Sequence, residues 1–337
     1  APGTEDTNGF ARQNWFEPVG REAAMLREAV GVIDISNFGK YEVTGPGAGD
    51  WLDALVANHV PREIGKSCLT PLIGMRGGVA GDFTITMTGD ESYMMIGSGM
   101  AERYHRRFFD MVPLPDGTGF EVATPRIAGF NVAGPRSREM LAGLTDADLS
   151  NEGWRFMRSR RIAVGGVDCL AIRVSFTGDL GWELHCAVDD QVVLYETLLE
   201  AAAAHGGGPV GGRALGALRI EKGYGSWGRE YSPEYWPQEA GLHGLIKLDK
   251  DFLNKEAYLK ISNTPPRESL TMFEVDVADN ADANGGEPIF LADGTPVGRV
   301  TSGSYGYTVG KSLAIGYARE GVVSAGDRVE IFILGKP

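Results

Sequence analysis

Asp82 is the residue whose type and position point most directly to chemistry. It follows the glycine-rich turn Gly77-Gly78-Val79-Ala80-Gly81 and enters Phe83-Thr84-Ile85-Thr86, which alternates apolar residues with threonine. A carboxylate in an apolar strand either loses hydration without compensation or takes part in binding or proton transfer. Asp82 is therefore the first candidate functional residue.

A second carboxylate, Glu183, stands between Trp182 and Leu184 after the turn Thr177-Gly178-Asp179. Side chains alternate along a strand, so Glu183 is expected on the face opposite Trp182 and Leu184. It could be an ordinary exposed strand residue, since most glutamates are exposed. If it faces a pocket instead, its two coplanar oxygens suit a ligand edge that presents two adjacent N–H donors.

The elements that must position these two acids occur in a mixed order. Apolar periodicity predicts helices at 22–30, 48–60, 103–111, 137–142 and 191–205, and strands at 32–35, 41–44, 83–87, 93–96, 119–123, 127–132, 161–164, 170–175 and 182–187. This order predicts α+β sheets rather than a regular βαβ repeat. From Met272 onward, short β-rich runs between Gly, Asp and Asn turns predict a small antiparallel barrel or sandwich.

Composition excludes several classes of function. The 45 acidic residues outnumber the 32 basic ones, so no basic field is available for a nucleic acid. No apolar run approaches the roughly 20 residues of a membrane helix, which favours a soluble protein without a membrane partner. The three cysteines and five histidines show no ligand-like spacing, so no metal site is expected.

Two segments fit the pattern GxGxxG, starting at Gly206 and Gly223. A dinucleotide-binding loop of this kind must follow a strand and open a helix, whereas both segments follow helical sequence. We interpret them as helix C-terminal turns and loops.

Motifs along nearly the whole chain occur in the order of one enzyme family. They are the Asp82 turn, Phe176–Leu184, Arg219-Ile220-Glu221-Lys222-Gly223-Tyr224, Pro237–Leu242 and Gly298–Gly303. Together they resemble the tetrahydrofolate-binding aminomethyltransferase family, whose type member is the glycine-cleavage T-protein. Within it, the chain looks most like the C-terminal half of dimethylglycine and sarcosine dehydrogenases, in which a flavin domain precedes this module.

The resemblance implies a three-domain cloverleaf around a central folate cavity. Residues 1–45 with 126–250 would form a first, discontinuous α+β domain, residues 46–125 a second, and residues 251–337 a small antiparallel β-barrel. Tetrahydrofolate is the implied cofactor. FAD is expected only in a missing domain or a partner subunit.

The resemblance also implies roles for single residues. Asp82 matches the acid beside the reactive folate nitrogens, which makes it the implied catalytic residue, and Glu183 matches the acid that grips the pterin. The other implied folate-binding residues are Phe38, Gly97, Ser98, Phe176, Tyr224 and Arg219. For Arg219, an ion pair with Glu221 or a neighbouring acid is an equally good interpretation.

Three positions depart from the family pattern. Phe176 stands where many members have Tyr, so hydroxyl assistance to Asp82 is expected to be missing. Leu215 replaces an Arg of the glycine-cleavage members, which disfavours a lipoyl-carrier reaction. Tyr224 directly follows Gly223 without the Cys of the iron–sulfur-assembly relatives, which disfavours that role.

The implied reaction captures a formaldehyde-level unit, released by oxidation of an N-methylated amine such as dimethylglycine or sarcosine, as 5,10-methylenetetrahydrofolate. Two alternatives stay open: direct methyl transfer to tetrahydrofolate, and folate binding without catalysis. Demethylating relatives tend to lack the acid at Asp82, so its presence favours methylene chemistry. The expected partners are a small methylated amine or formaldehyde donor and a flavin oxidoreductase domain or subunit, in the cytoplasm or, in a eukaryote, the mitochondrial matrix.

Overall fold

The computed structural model describes residues 9–277 and 280–336, so positions 1–8, 278–279 and 337 of the predicted first and last domains lie outside the described residues. The helices of the described part are α1 (Phe16–Glu28), α2 (Ala48–Leu55), α3 (Glu102–Phe109), α4 (Ser137–Ala142), α5 (Gln191–Ala204), α6 (Gly212–Glu221) and α7 (Lys255–Ser262). Helix α1 buries Val19, Ala23 and Leu26, a spacing of three to four residues that puts one apolar stripe on the core. None of these described helices is long and apolar enough to cross a membrane.

The strands form three sheets. They are β1 (Gly31–Asp34), β2 (Gly39–Thr44), β3 (Ser67–Ile73), β4 (Val79–Gly89), β5 (Ser92–Gly97), β6 (Gly119–Val122), β7 (Ile127–Ala133), β8 (Ser159–Val164), β9 (Val167–Ile172), β10 (Gly181–Ala187), β11 (Gly208–Pro209), β12 (Glu268–Val275), β13 (Pro288–Phe290), β14 (Pro296–Gly306), β15 (Lys311–Arg319) and β16 (Glu330–Ile331). The first sheet has the order β11–β1–β7–β10–β9–β8, the second β3–β4–β5–β2–β6 and the third β12–β15–β14–β13–β16.

Helices cover one face of each of the first two sheets. In the first, Phe130, Trp154 and Trp182 pack in a core that includes residues of α4 and α5. In the second, Tyr41 and Phe83 pack in a core with residues of α2 and α3. Burying these large side chains makes the main favourable contribution to the folding free energy of each sheet with its helices.

The other faces of these two sheets meet each other. Met94 and Ile96 of β5 pack against Leu170 and Ile172 of β9, with Phe38 partly buried at the edge of this cluster. We call the surface formed by these five residues the inter-sheet face. It joins the two sheets by direct apolar contact.

The third sheet is antiparallel throughout its described pairings and encloses a core that includes Phe273, Ile289, Val300 and Ala314. Helix α6 packs on β14 and β15 of this third sheet. The predicted α+β fold with a C-terminal antiparallel β unit is thus confirmed.

The structure adds detail that the sequence did not predict. Strand β2 pairs with β5 and β6, so it belongs to the second sheet. The turn between β2 and α2 contains Gly45 and Gly47, both with positive φ. Strand β3 is not predicted from the sequence because Pro71 interrupts its pattern, and a proline weakens a strand prediction. The domain boundaries stay predictions.

Candidate functional site

Asp82 lies on β4 immediately after a β-bulge. The register against β3 leaves Ala80 as the extra residue. Ala80 and Phe83 pack into the helix-covered core, whereas Val79 packs on the opposite side of the strand. Because a bulge turns two consecutive side chains to one side, Asp82 shares the side of Val79.

This side of β4 faces the first sheet. Thr84, two residues after Asp82, pairs with Ile96, and Ile96 belongs to the inter-sheet face. Cross-strand partners point the same way, so Asp82 lies on the surface of the second sheet that is directed at the first.

The Asp82 carboxyl is poised to exchange a proton near neutral pH. It is partly buried, and no other described residue donates a hydrogen bond to it. Burial raises its pKa to about 6, because the charged form loses hydration. A carboxylate with this pKa is a far better proton acceptor at pH 7 than an ordinary aspartate.

Phe38, Gly97 and Ser98 are brought to Asp82 by the strand register. Gly97 pairs with Gly39, and continuing the β2–β5 register by one residue and the β4–β5 register by two aligns Phe38, Ser98 and Asp82 across three neighbouring strands. A Cβ added at Gly97 would lie 2.5 Å from the Phe83 ring. Glycine is therefore required there for close packing beside the site.

Glu183 lies on β10 and faces the second sheet. Trp182 and Leu184 are fully buried in the first core, as the alternation predicts. Glu183 pairs with Ile172, a residue of the inter-sheet face, and its side chain is 18% exposed. Asp82 and Glu183 therefore lie on the two surfaces that face each other.

The surroundings of Glu183 leave its acceptor capacity unused. No described residue donates a hydrogen bond to its carboxylate. Nε2 of His185 lies 3.6 Å from Oε2 of Glu183, beyond hydrogen-bond distance. His185 is itself buried, and neither of its ring nitrogens has a hydrogen-bond partner in the described part of the chain. A buried polar atom without a hydrogen bond costs free energy. The unpaired atoms of Glu183 and His185 therefore indicate a place where a polar ligand binds.

Lys40 is a buried residue that the sequence does not single out. Its Nζ donates to the carbonyl oxygens of Ser36 (3.1 Å) and Phe38 (3.0 Å). Burial lowers its pKa to about 8, against the opposing charges of Glu183 and Asp34. Lys40 thus fixes the turn that carries Phe38 and gives Glu183 a cationic neighbour. Its position between Gly39 and Tyr41 in an amphipathic strand looks like a solvated one, so the sequence held no signal for burial.

Phe176 and Tyr224 are brought together by the structure. Their rings stack with centroids 6.1 Å apart, and Tyr224 is 42% exposed. The segment before Phe176 is tied to the Glu183 neighbourhood, since Ser175 Oγ donates to Oδ1 of Asn131 at 3.2 Å and Asn131 pairs with Glu183 across the sheet. The stacked pair therefore begins one residue after the segment that contacts Asn131.

Arg219 forms a buried ion pair instead of projecting free donors. Its Nη1 donates to Glu230 Oε2 (2.8 Å) and to the carbonyl of Tyr224 (2.9 Å), and its Nη2 donates to Ser302 Oγ (2.7 Å). Glu221, the other partner considered, pairs with Arg27. The neighbouring-acid interpretation of Arg219 therefore describes its position, and its folate-binding role stays a prediction.

Other parts of the described surface do not provide a better candidate site. Cavities of about 600 and 430 Å³ open elsewhere, and neither Asp82 nor Glu183 lines them. No group of three or more His, Cys, Asp or Glu among the described residues is arranged to hold a metal ion. Asp82 and Glu183 are thus identified as the candidate site by their carboxyl groups and by their orientation.

Comparison with known proteins identifies the lineage of this arrangement. Residues 2–250 match the GCVT N-terminal domain, and residues 269–337 match the glycine cleavage T-protein C-terminal barrel domain. The chain belongs to the glycine cleavage T-protein family. This family consists of aminomethyltransferase-like enzymes that use tetrahydrofolate, which confirms the predicted family and cofactor.

Within the glycine cleavage T-protein family, the chain is similar to proteins of two kinds. It is 35% identical to mitochondrial dimethylglycine dehydrogenase of Mus musculus, covering 99% of this chain and 38% of that protein. It is 32% identical to 4-methylaminobutanoate oxidase (formaldehyde-forming) of Paenarthrobacter nicotinovorans, covering 94% and 38%. An aminomethyltransferase of Thermoanaerobacter sp. (strain X514) is 29% identical and is covered over 90% of its length. The chain thus spans about two-fifths of the length of each of these two oxidoreductases.

A solved structure supports the same fold. The glycine cleavage system aminomethyltransferase T from Bartonella henselae superimposes with a TM-score of 0.85 at 21% identity, covering 99% of this chain and 91% of that one. The three-sheet arrangement is therefore that of the T-protein family.

Proposed function

We propose that this chain binds tetrahydrofolate between its first two sheets and catalyses the capture of a formaldehyde-level unit as 5,10-methylenetetrahydrofolate. One observation carries the proposal: two carboxylates without hydrogen-bonding partners among the described residues, Asp82 and Glu183, lie on facing surfaces with apolar side chains between them. This arrangement suits a flat ligand that has N–H groups along its edge and needs proton transfer at another position.

Glu183 would hold the pterin. Its carboxylate oxygens accept no hydrogen bond from a described residue, and the pterin edge presents a ring N–H beside an exocyclic amine. Two donors on one planar edge match two coplanar acceptors. Lys40 keeps a positive charge near this carboxylate, and Phe38 supplies apolar surface beside it.

Asp82 would accept the proton that is lost when the folate nitrogen attacks the one-carbon unit. Bound tetrahydrofolate would supply the two nitrogens that take up this unit. With formaldehyde as the donor, each nitrogen loses one proton and the carbonyl oxygen leaves as water, so the proton that Asp82 accepts passes on to this oxygen. A held carboxylate both orients the nucleophile and removes its proton, and the raised pKa of Asp82 improves the match to neutral pH. Ser98, aligned with Asp82 by the strand register, lies at the same end of the site.

The proposed source of the one-carbon unit is supported by the relatives. Similarity to dimethylglycine dehydrogenase and to a formaldehyde-forming oxidase supports an N-methylated amine as the donor. Oxidation of such an amine needs a flavin oxidoreductase domain or subunit, which we propose as the partner of this chain. The aminomethyltransferase reaction of other relatives uses the same acceptor, and Leu215 argues against it here.

Glu183→Gln is expected to weaken the binding of reduced folate by about 10- to 100-fold, because a charge-assisted hydrogen bond contributes about 1.5–3 kcal/mol. Titration of the chain with tetrahydrofolate under reducing conditions measures this change. Glu196→Gln, on an exposed position of α5, is the matched control and should bind as the wild type does. Unchanged affinity in Glu183→Gln would remove Glu183 from the folate site.

The rate of methylene transfer is expected to rise with pH and reach half its maximum near pH 6. Only the deprotonated Asp82 accepts a proton, and burial raises its pKa to about 6. The fraction of active base therefore falls as pH drops below that value and is nearly complete at pH 8. Initial rates between pH 5 and 8 at saturating folate test this, and a rate constant independent of pH over this range would contradict it.

A further inference from the structure

We propose that Lys222 is a specificity-determining residue that binds the carboxylates at the glutamate end of tetrahydrofolate. The inference rests on the function proposed above, and it gives a role to the glycine-rich segment that begins at Gly223. Tetrahydrofolate carries a pterin at one end and a glutamate with two carboxylates at the other. Glu183 and Asp82 are assigned to the pterin and to the reacting nitrogens, so the anionic end still lacks a cationic partner.

The segment between β9 and β10 connects Glu183 with Phe176. Oγ of Ser175 donates to Oδ1 of Asn131 at 3.2 Å, and Asn131 is the cross-strand partner of Glu183. Both neighbours of Asn131 in β7 lie in the first core, so alternation places the Asn131 side chain on the surface that carries Glu183. The chain that leads into Phe176 therefore runs over this surface.

The segment after α6 approaches the strand of Asp82. A Cβ added at Gly225 would lie 2.5 Å from the Tyr231 ring, and Tyr231 packs in a cluster with Val79 of β4. Val79 and Asp82 share one side of that strand. Tyr224, directly before Gly225, belongs to the stacked aromatic pair. This pair therefore lies between the segments that lead to the two acids.

Lys222 packs its aliphatic stem on the turn that follows Phe176. A Cβ added at Gly178 would lie 2.7 to 2.9 Å from Cγ, Cδ and Cε of Lys222. Gly178 has a φ of 76°, so the residue that forms this turn also leaves room for the lysine stem. Gly223, with a φ of 68°, ends α6 and turns the chain toward Tyr224. The stem of Lys222 is thereby held next to the aromatic pair.

The charge of Lys222 is free, in contrast to the other cations near the site. Arg27 and Arg219 each donate to carboxylates, and Lys40 donates to two backbone carbonyl oxygens. Lys222 is exposed, and its ammonium forms no hydrogen bond or ion pair with another residue in the part of the chain that the structure describes. It is therefore available to an anionic ligand.

A free ammonium beside exposed aromatic surface matches the tail of folate. Tyr224 is 42% exposed, so its ring offers surface to the p-aminobenzoyl group, and the ammonium pairs with the carboxylates that follow this group. Charge pairs in an exposed position are weak and are screened by salt. Lys222 thus adds affinity for the tail and takes no part in methylene transfer.

Titration with two reduced ligands, tetrahydrofolate and 6-methyltetrahydropterin, tests the inference without requiring activity. The second ligand lacks the p-aminobenzoylglutamate. Lys222→Gln should weaken tetrahydrofolate binding by about 2- to 5-fold, and Lys222→Glu by about 5- to 20-fold because attraction becomes repulsion. Neither variant should change the affinity for 6-methyltetrahydropterin, whereas Glu183→Gln should weaken both ligands.

Lys260→Gln is the matched control, because Lys260 is an exposed lysine in the last turn of another helix, α7. It should bind both ligands as the wild type does. A cation at a helix C-terminus also stabilises the helix, and that role alone would lower the free energy of unfolding without changing the ratio of the two affinities. Raising the salt concentration from about 0.05 to 0.5 M should bring the wild-type affinity for tetrahydrofolate close to that of Lys222→Gln.

Equal affinities of the wild type, Lys222→Gln and Lys222→Glu for tetrahydrofolate would overturn the inference and leave the proposed function intact. Equal losses for the two ligands would also overturn it, because the effect would then come from the pterin half. A wild-type chain that binds neither ligand would refute the proposed function, and the inference with it.

Discussion

Asp82→Asn is expected to slow methylene transfer by about 100-fold or more, because general acid–base catalysis contributes about 10²- to 10⁴-fold. The amide keeps the size of the side chain but cannot accept the proton of the attacking nitrogen. Folate binding should stay within a few-fold of the wild type, since Glu183 holds the other end of the ligand. Single-turnover rates at saturating tetrahydrofolate separate the two effects.

The matched control for this prediction is Asp90→Asn, which alters an exposed acid in the turn between β4 and β5. It should transfer the methylene unit at the wild-type rate. A wild-type rate in Asp82→Asn as well would show that Asp82 is not the proton acceptor, whereas parallel losses of binding and rate would assign it to binding alone.

Arg219→Leu is expected to lower the free energy of unfolding by about 3–5 kcal/mol, because removing one partner of a buried ion pair leaves an uncompensated charge. Glu230 is fully buried, and the Arg219 side chain is 9% exposed. Urea unfolding followed by circular dichroism measures the loss. Replacing both partners, in Arg219→Leu with Glu230→Leu, should restore part of it, since no buried charge then remains.

An exposed ion pair provides the control for Arg219. Arg62 and Asp50 are joined at 2.7 Å with side chains 51% and 81% exposed, so Arg62→Leu should cost less than about 1 kcal/mol. If Arg219→Leu instead leaves stability unchanged and reduces only folate affinity, the folate-binding role implied by the family resemblance would be correct and the structural role refuted.

The sequence predicted the framework of the site because periodicity and turn chemistry are local. The alternation around Glu183 placed Trp182 and Leu184 in the core, as the structure shows. The glycine-rich turn before Asp82 was predicted to extend to Gly81, whereas β4 already begins at Val79 and so includes the last three residues of that predicted turn. The positive φ of Gly206 and Gly223 agrees with their interpretation as helix-end turns.

The parts that the sequence could not predict depend on contacts between distant segments. Lys40 looked like a solvated strand residue, and only the packing of the first sheet on the second buries it. Glu230 lies in a loop without regular structure, so sequence periodicity gave no sign of its buried ion pair with Arg219. Strand β2 crosses to the second sheet after a turn of four residues, Ile35 to Phe38, which composition does not reveal.

The identity of the one-carbon product tests the central claim most directly. The chain would be incubated with tetrahydrofolate and ¹³C-formaldehyde, and the folates would be separated and analysed by mass spectrometry over time, with the protein-free reaction as the baseline. The account predicts ¹³C-labelled 5,10-methylenetetrahydrofolate formed faster than in the protein-free reaction, with the acceleration lost in Asp82→Asn. Formation at the protein-free rate, or an acceleration that survives in Asp82→Asn, would contradict it.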